Sequence, residues 1–253
     1  MKNLITLLLL LPALAMSMKT IELNSSNTIN FNQDFNGMFV AKKQIEAIAK
    51  CAAKPGKVIY VVAYTPGGSI SAGNLFFDTL KGLPCTFHTI TVFAASMGYQ
   101  MAQNLGKRYI LPSGTLMSHR GSVGGLGGEI GGELDSVLRN IKKTIKEMET
   151  AASNRVGITL KQYREAIRDE LWMTAEEAVE TNHADEIVTV RCTKSLLGSY
   201  TETINTMFGT LDVEFSKCPI IVAPLSVKGA NVFQENRFRV EFSKINKRVK
   251  VTL

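Results

Sequence analysis

The chemistry in this sequence centres on a serine at the end of an apolar, β-branched run. Ser96 follows the segment 89–93 and two alanines, and the residues after it have the pattern of a helix. A hydroxyl at such a corner lies beside the first unpaired N–H groups of the helix, which stabilise negative charge that develops there. Because serine is also a common helix cap, the position alone predicts either a cap or a nucleophile.

Two further segments carry groups that could activate this hydroxyl. His119 follows a short apolar strand, and the acidic pair Asp169 and Glu170 precedes an aromatic segment. A serine hydroxyl becomes a good nucleophile when a neutral imidazole takes its proton, and a carboxylate fixes the tautomer of that imidazole. A surface histidine and a solvated helix end are the simpler interpretations. His88 and His183 lack this context, and we interpret both as structural.

A glycine pair supplies a fourth part of such a site. Gly67 and Gly68 come directly after the apolar run 58–63 and a Thr-Pro dipeptide. Two glycines let backbone N–H groups turn towards a ligand, as an oxyanion hole requires. A tight turn without further role is the alternative.

The segments around these residues alternate between buried strands and amphipathic helices. Strands are predicted within 19–36, at 58–63, at 89–93 and at 108–118 with a break at 112–114; helices are predicted at 40–53, 72–81, 97–106, 134–148 and 159–168, with one more opened by a capping box at 174–177. Such alternation produces a parallel sheet through right-handed crossovers. Beyond about Arg191 the pattern breaks into short strands and turns, so we place a domain boundary there.

Composition narrows the class of protein. The chain has 253 residues, of which 45% are hydrophobic and 20% charged, as is usual for a globular protein with a substantial core. The net charge of +7 is concentrated towards the C-terminus. Without zinc-finger spacing or aromatic–basic alternation we interpret it as a solvated face and expect no nucleic-acid partner. We expect no metal and no cofactor.

Residues 1–17 have the build of a secretory signal peptide. A short positive start precedes the apolar stretch 4–11, and small residues follow at a cleavage spacing. The apolar stretch is too short for a stable membrane anchor. We therefore expect export to a periplasmic or extracellular location after removal of the leader, whereas translation from Met16 or Met18 would leave the protein in the cytoplasm.

The four cysteines have no C-x-x-C spacing, which argues against a metal site. In an exported protein they can pair, and we expect a bridge between Cys192 and Cys218. We interpret Cys51 and Cys85 as small buried hydrophobic residues.

Several motifs appear together in the order seen in the proteolytic subunit of the Clp protease, and the chain resembles that family from about residue 39 to 190. The matching segments are T-P-G-G-S-I-S-A-G (65–73), A-A-S-M-G (94–98), L-P followed by M-S-H-R (111–120), W-M-T-A-E-E-A-V-E (172–180) and A-D-E-I (184–187). The resemblance implies an α/β, ClpP/crotonase-like fold of repeated βαβ units around a parallel sheet. It implies a peptidase domain over 18–191. The small, basic and β-rich extension over 192–253 has no counterpart in the family.

The resemblance also implies roles for individual residues. Ser96 would be the nucleophile and His119 the general base, and the backbone N–H groups of Gly68 and Met97 would form the oxyanion hole.

The third member of the triad departs from the family. The family has Asp two residues before the aromatic that stands here as Trp172, and this chain has Glu170 in that place. We choose Glu170, with Asp169 in reserve. The longer side chain of glutamate puts the geometry in question, but not the role.

Substrate contacts and assembly are likewise implied by the resemblance. The glycine-rich run 121–132 would border the cleft, where Gly124 and Gly125 would let an extended peptide pair with the backbone. The stripe along 134–148 resembles the helix through which two rings of the family meet, which implies a homo-oligomeric ring. The ATP-driven unfoldase partner is not carried over, because no ATP drives an extracytoplasmic compartment.

These observations favour a serine endopeptidase that hydrolyses peptides or unfolded protein segments through an acyl-enzyme intermediate. The alternative is a ring-forming scaffold or binding protein with weak or absent turnover. An α/β-hydrolase esterase would need the order Ser, acid, His along the chain, which this sequence does not have. A crotonase-type acyl-CoA enzyme would not need Ser96 and His119 together.

Overall fold

The structure, a computed structural model, describes residues 18–124, 128–206 and 209–229. In chain order its elements are β1 (Thr20–Leu23), β2 (Thr28–Phe31), α1 (Gly37–Ala53), β3 (Val58–Thr65), α2 (Ile70–Gly82), β4 (Thr86–Ala95), α3 (Met97–Asn104), β5 (Arg108–Ser118), α4 (Glu133–Val156), α5 (Leu160–Ala166), β6 (Leu171–Met173), α6 (Ala175–Glu180), β7 (Glu186–Ile187), β8 (Thr189–Cys192), a 3₁₀ turn (Lys194–Leu196), β9 (Ser199–Thr206), β10 (Gly209–Ser216) and β11 (Ser226–Gly229). The predicted alternation of strands and helices is confirmed.

The central sheet has the strand order β2–β3–β4–β5–β6, with β7 paired alongside β5. Strands β2 to β5 run parallel, and β6 runs antiparallel to β5. The carboxyl ends of β3, β4 and β5 therefore lie at one edge of the sheet, and the predicted site residues follow those three strands.

Both faces of this sheet are covered, which explains the continuous apolar run in β3. Ile59, Val61 and Ala63 pack with the helices on one face. Val62 on the other face packs against residues of β1 and β8, including Ile21. A strand buried on both faces has no polar alternation, as the sequence predicted.

Strand β5 differs from the prediction because it continues through the segment 112–114, where we expected a break. Its register against β4 shifts between the pairs Thr91–Ile110 and Phe93–Thr115. A bulge of this kind absorbs the extra residues and the missing N–H of Pro112, so the strand bends without ending.

The C-terminal extension begins as the predicted β-rich unit, an antiparallel sheet of β9, β10 and β11. Val222 packs against the sheet cluster that contains Tyr64 and Phe93, and the Gln33 side-chain amide donates to Glu202 at 3.2 Å. The extension therefore packs on the body of the protein.

Two disulfides are present. The bridge between Cys192 and Cys218 is confirmed. The interpretation of Cys51 and Cys85 as unpaired is wrong, since these residues form the second bridge with their Cα atoms 5.9 Å apart. Cys51 lies in the last turn of α1 and Cys85 directly precedes β4, so the approach of these two elements creates the pair.

The predicted leader, residues 1–17, lies outside the described residues. Within the described ranges, no helix combines the length and the apolar character needed to cross a bilayer.

Candidate active site

Ser96 occupies a strained corner between β4 and α3. Its backbone angles, φ 55° and ψ −115°, are rare for a residue with a side chain, and its hydroxyl makes no capping bond to the helix. Its backbone N–H donates to the carbonyl of Met117 at 2.9 Å, which fixes the corner against β5. Strain of this kind persists where the surroundings enforce it, and it frees the hydroxyl from the helix. Ser96 therefore occupies the N-cap position of α3, but its side chain does not cap the helix.

His119 lies directly beside this hydroxyl. It is the first residue after β5, and the parallel register of β4 and β5 pairs Ala95 with Met117. The distance between His119 Nε2 and Ser96 Oγ is 2.8 Å. With the ring proton on Nδ1, Nε2 accepts from the serine hydroxyl, which is the arrangement for proton removal.

The glycine pair brings its backbone against the same corner. Gly67 has φ 98°, and a Cβ atom there would lie 2.6 Å from Ser96 Cβ. Gly68 forms a parallel bridge with Phe35, in which Phe35 N–H donates to the Gly67 carbonyl and Ser69 N–H donates to the Phe35 carbonyl. In this pattern the flanking residues make the bonds, so the N–H of Gly68 itself points away from Phe35.

Met97 offers a second backbone donor at this place. It is the first residue of α3, where helical N–H groups have no partner within the helix. Met97 and Gly68 both line a cavity of about 80 Å³ that also contains Ser96 and His119.

The cavity beside Ser96 has apolar walls and a polar floor. Its lining includes four apolar side chains, those of Ile70, Met97, Ile145 and Met148, and the polar pair Gln100 and Glu149, which we call the floor. Through Gly68, Ile70 and Ser122 the cavity opens into a groove of about 880 Å³ between α2 and α4.

Gly124 lines this groove, and a Cβ atom there would meet nothing within 4 Å. Gly125, the second predicted substrate contact, lies outside the described residues.

The two candidate acids stand apart from the histidine. Glu170 Oε2 accepts from the Trp172 indole at 2.9 Å, and Asp169 pairs with Arg168 at 2.9 Å. Both carboxylates and His119 belong to the described part of the chain, and no hydrogen bond there joins His119 to either one. The structure thus brings together the predicted serine and histidine but not the predicted acid.

Strand register nevertheless distinguishes Glu170 from Asp169. Strand β6 pairs antiparallel with β5, with Ser118 opposite Leu171. The pairing ends there, with His119 directly after Ser118 and Glu170 directly before Leu171, so Glu170 is one residue nearer to the histidine along the paired strands than Asp169 is. Glu170 also has a left-handed φ of 70°. The register therefore favours Glu170.

Sequence reasoning missed a buried polar network beneath the corner. The Tyr163 hydroxyl lies 2.8 Å from Ser118 Oγ, and the Tyr99 hydroxyl lies 2.7 Å from His183 Nδ1. Burial and the nearby Arg108 charge lower the pKa of His183 from 6.5 to about 4, so this ring is neutral and structural. Gln100, whose Nε2 lies 3.4 Å from the Tyr163 hydroxyl, also belongs to this network. The sequence signal for it was its spacing, four residues after Ser96 and thus on the same helix face.

A strained serine in contact with a histidine, at the carboxyl edge of a parallel sheet, is the arrangement of a serine hydrolase. The sequence model of the Clp protease family matches residues 17–191. The chain belongs to this family, whose members are serine-type peptidases.

Relatives in this family include the ATP-dependent Clp protease proteolytic subunits of streptococci. That of Streptococcus suis (strain 98HAH33) is 34% identical over 140 residues, which cover 54% of this chain and 71% of the relative. That of Streptococcus pyogenes serotype M1 is 34% identical over 135 residues, covering 52% and 69%. The subunit of Streptococcus equi subsp. zooepidemicus (strain H70) gives the same values.

Proposed function

We propose that this protein is a serine endopeptidase that hydrolyses peptides or unfolded protein segments, with Ser96 as nucleophile and His119 as general base. The observation that carries the proposal is the 2.8 Å contact between His119 Nε2 and the Oγ of a serine held in a strained conformation without a capping bond.

The reaction follows from these positions. Ser96 Oγ attacks the scissile carbonyl while its proton passes to His119 Nε2, and the oxyanion accepts from the N–H groups of Gly68 and Met97. The imidazolium then protonates the leaving amine as the acyl-enzyme forms. Water, deprotonated by His119, hydrolyses the acyl-enzyme and restores the serine.

Glu170 is the proposed third member of the triad. The β5–β6 register supports this choice over Asp169. In this role the Glu170 carboxylate turns from the Trp172 indole to Nδ1 of His119 and fixes the ring tautomer.

The substrate is proposed to lie extended in the groove beside Gly124, with its backbone against the segment that follows β5. Homo-oligomeric assembly is proposed through the first half of α4. The buried residues of α4 are confined to its second half, Glu149, Ala152, Ser153 and Val156, so the described part of the chain leaves the first half open to a partner.

Export remains our proposal for the location of the protein. Its support is the two disulfides, which form and persist in oxidising compartments and are rare in the cytosol.

A binding or scaffold protein with weak turnover is the second candidate. It is favoured by one observation, the lack of a carboxylate on His119 among the described residues. A tautomer that is not fixed would leave the imidazole a poor base.

Intact-mass analysis after treatment with a fluorophosphonate separates these two candidates. We expect one adduct on the wild-type protein, none on Ser96→Ala, and labelling of His119→Ala slowed by about 100-fold or more. Ser113→Ala, an exposed serine outside the site, is the matched control and should label like the wild type. No adduct on the wild type, or an adduct that persists in Ser96→Ala, would overturn the proposal.

A further inference from the structure

The floor of the cavity beside Ser96 contains a hydrogen-bond acceptor without a partner. Gln100 is 7% exposed. Its Oε1 is buried and accepts no hydrogen bond within the described part of the chain. Its Nε2 donates to the Tyr163 hydroxyl in a long contact of 3.4 Å. A buried acceptor without a partner is costly, so a ligand that supplies the donor gains that free energy.

A second acceptor lines the same cavity. Glu149, also 7% exposed, holds one carboxylate oxygen against Arg164 Nε at 2.7 Å. Burial raises the pKa of Tyr163, and the Glu149 charge adds to that rise. Gln100 and Glu149 thus contribute two buried acceptors to the lining of one cavity.

Four apolar side chains complete the lining of this cavity. Ile70, Met97, Ile145 and Met148 line the same space of about 80 Å³ as Ser96 and the two acceptors. A small space with an apolar lining suits an unbranched methylene stem, and the two acceptors suit a terminal group that bears N–H donors.

We propose that this cavity selects the substrate residue before the scissile bond, and that Gln100 and Glu149 favour an unbranched side chain ending in N–H donors, as in glutamine or lysine. The inference rests on the proposed peptidase function and deepens it. Glutamate has a similar length but brings only acceptors to an acceptor floor. Norleucine fills the stem and leaves Gln100 without a donor.

The test compares four peptidyl aminocoumarin substrates that differ only in this residue: glutamine, lysine, norleucine and glutamate. We expect kcat/KM for the glutamine and lysine peptides to exceed that for norleucine by about tenfold, the value of one net hydrogen bond, and glutamate to be slowest. The norleucine rate reports on folding and basal chemistry in every variant.

Two variants assign the preference to the floor. Gln100→Met removes the acceptor and keeps the length, so the ratios to norleucine should fall to about one. Glu149→Gln removes the charge, so lysine should lose more than glutamine. Gln44→Met, on α1 and away from the cavity, is the matched control and should keep the wild-type ratios.

The outcomes separate this inference from the proposed function. If fluorophosphonate labels Ser96 but the four peptides are cleaved equally, or fastest at norleucine or glutamate, the specificity inference is overturned and the peptidase proposal stands. Labelling of Ser96 without cleavage of any of the four peptides overturns both. Ratios that survive Gln100→Met also overturn the specificity inference. If fluorophosphonate fails to label Ser96, the proposed function falls and this inference falls with it.

Discussion

The backbone around Ser96 tolerates almost no added volume. A Cβ atom at Gly67 would lie 2.6 Å from Ser96 Cβ and 2.8 Å from the Met97 N–H nitrogen. The two donors of the proposed oxyanion hole, at Gly68 and Met97, adjoin this contact on either side. The residue at 67 therefore controls how the nucleophile and both donors meet, although it has no side chain of its own.

Substitution Gly67→Ala should lower kcat by about 100-fold, because the added methyl group displaces Ser96 and the Met97 donor from the reacting carbonyl. Steady-state peptide hydrolysis measures this effect. Gly56→Ala is the matched control, since Gly56 also has a positive φ, 79°, but a Cβ atom there would meet nothing within 4 Å. That variant should lose about 1 kcal/mol of stability and keep its kcat. Equal kcat losses in both variants would contradict the steric explanation.

The choice between Glu170 and Asp169 gives a second prediction at this scale. Glu170→Gln should lower kcat by about 100-fold or more, because an amide cannot hold the imidazolium as a carboxylate does. Asp169→Asn should change kcat less than about twofold, because it removes only the exposed ion pair with Arg168. Peptide hydrolysis at pH 7 to 8 distinguishes the two. A larger loss in Asp169→Asn would reverse the assignment.

The sequence alone predicts that Ser96, His119 and the pair Gly67–Gly68 lie close together. Each of them follows a predicted strand, and the carboxyl ends of parallel strands lie at one edge of the sheet. The sequence was insufficient for Gln100 and Glu149, because the packing of α3 against α4 decides which polar side chains meet in a cavity. Periodicity along a single helix does not contain that information.

At the scale of elements, the same limit of sequence patterns explains why only one of the two disulfides could be predicted. The pair Cys192–Cys218 could be predicted because both residues flank one segment outside the apparent core. The pair Cys51–Cys85 could not be predicted. Cys51 is buried in the core, and a buried cysteine has the same apolar sequence context whether it is free or bonded to a second cysteine. The Cys51–Cys85 bridge thus connects α1 to the start of β4 within the body of the protein, and the Cys192–Cys218 bridge lies in the extension.

Each disulfide should therefore stabilise a different part of the protein, and the two can be compared as matched variants. The bridges span sequence separations of 34 and 26 residues, and either should contribute about 3 to 4 kcal/mol on the loop-entropy scale. Cys192→Ser with Cys218→Ser should speed amide hydrogen exchange in β10 and leave β3 and β4 protected. Cys51→Ser with Cys85→Ser should instead lower the unfolding midpoint of the core. Hydrogen exchange read by mass spectrometry tests both, and uniform deprotection by either pair would contradict this division.

At the scale of the whole molecule, a buried histidine couples stability to pH. His183 accepts protons near pH 6.5 in the unfolded chain but only near pH 4 in the native protein, because burial and the Arg108 charge lower its pKa. Between these values the unfolded state binds more protons, so stability falls as the pH falls from about 6.5 towards 4.

The variant His183→Gln isolates this effect, since glutamine can still accept from the Tyr99 hydroxyl and does not titrate. Urea unfolding at pH 7 and pH 4.5 should show that the wild type loses about 2 to 3 kcal/mol relative to the variant. Contributions from other groups, among them Asp185, are shared by both proteins and cancel. Parallel pH dependence of the two proteins would contradict the assignment to His183.

Assembly is the property of the whole molecule that α4 should control. In this helix of 24 residues the apolar positions Leu134 and Leu138 are only half-buried, and Ile130, close before the helix, is 91% exposed. An apolar stripe that its own chain covers incompletely gains free energy when a second copy covers it. Leu138→Glu should therefore reduce the particle mass in sedimentation velocity, because a charge would be buried at the contact. Lys143→Glu, an exposed position on the opposite face of the same helix, carries a comparable change away from the stripe and should keep the wild-type mass. A wild type that sediments as a monomer, or a Leu138→Glu protein with unchanged mass, would remove α4 from the assembly and leave the catalytic proposal untouched.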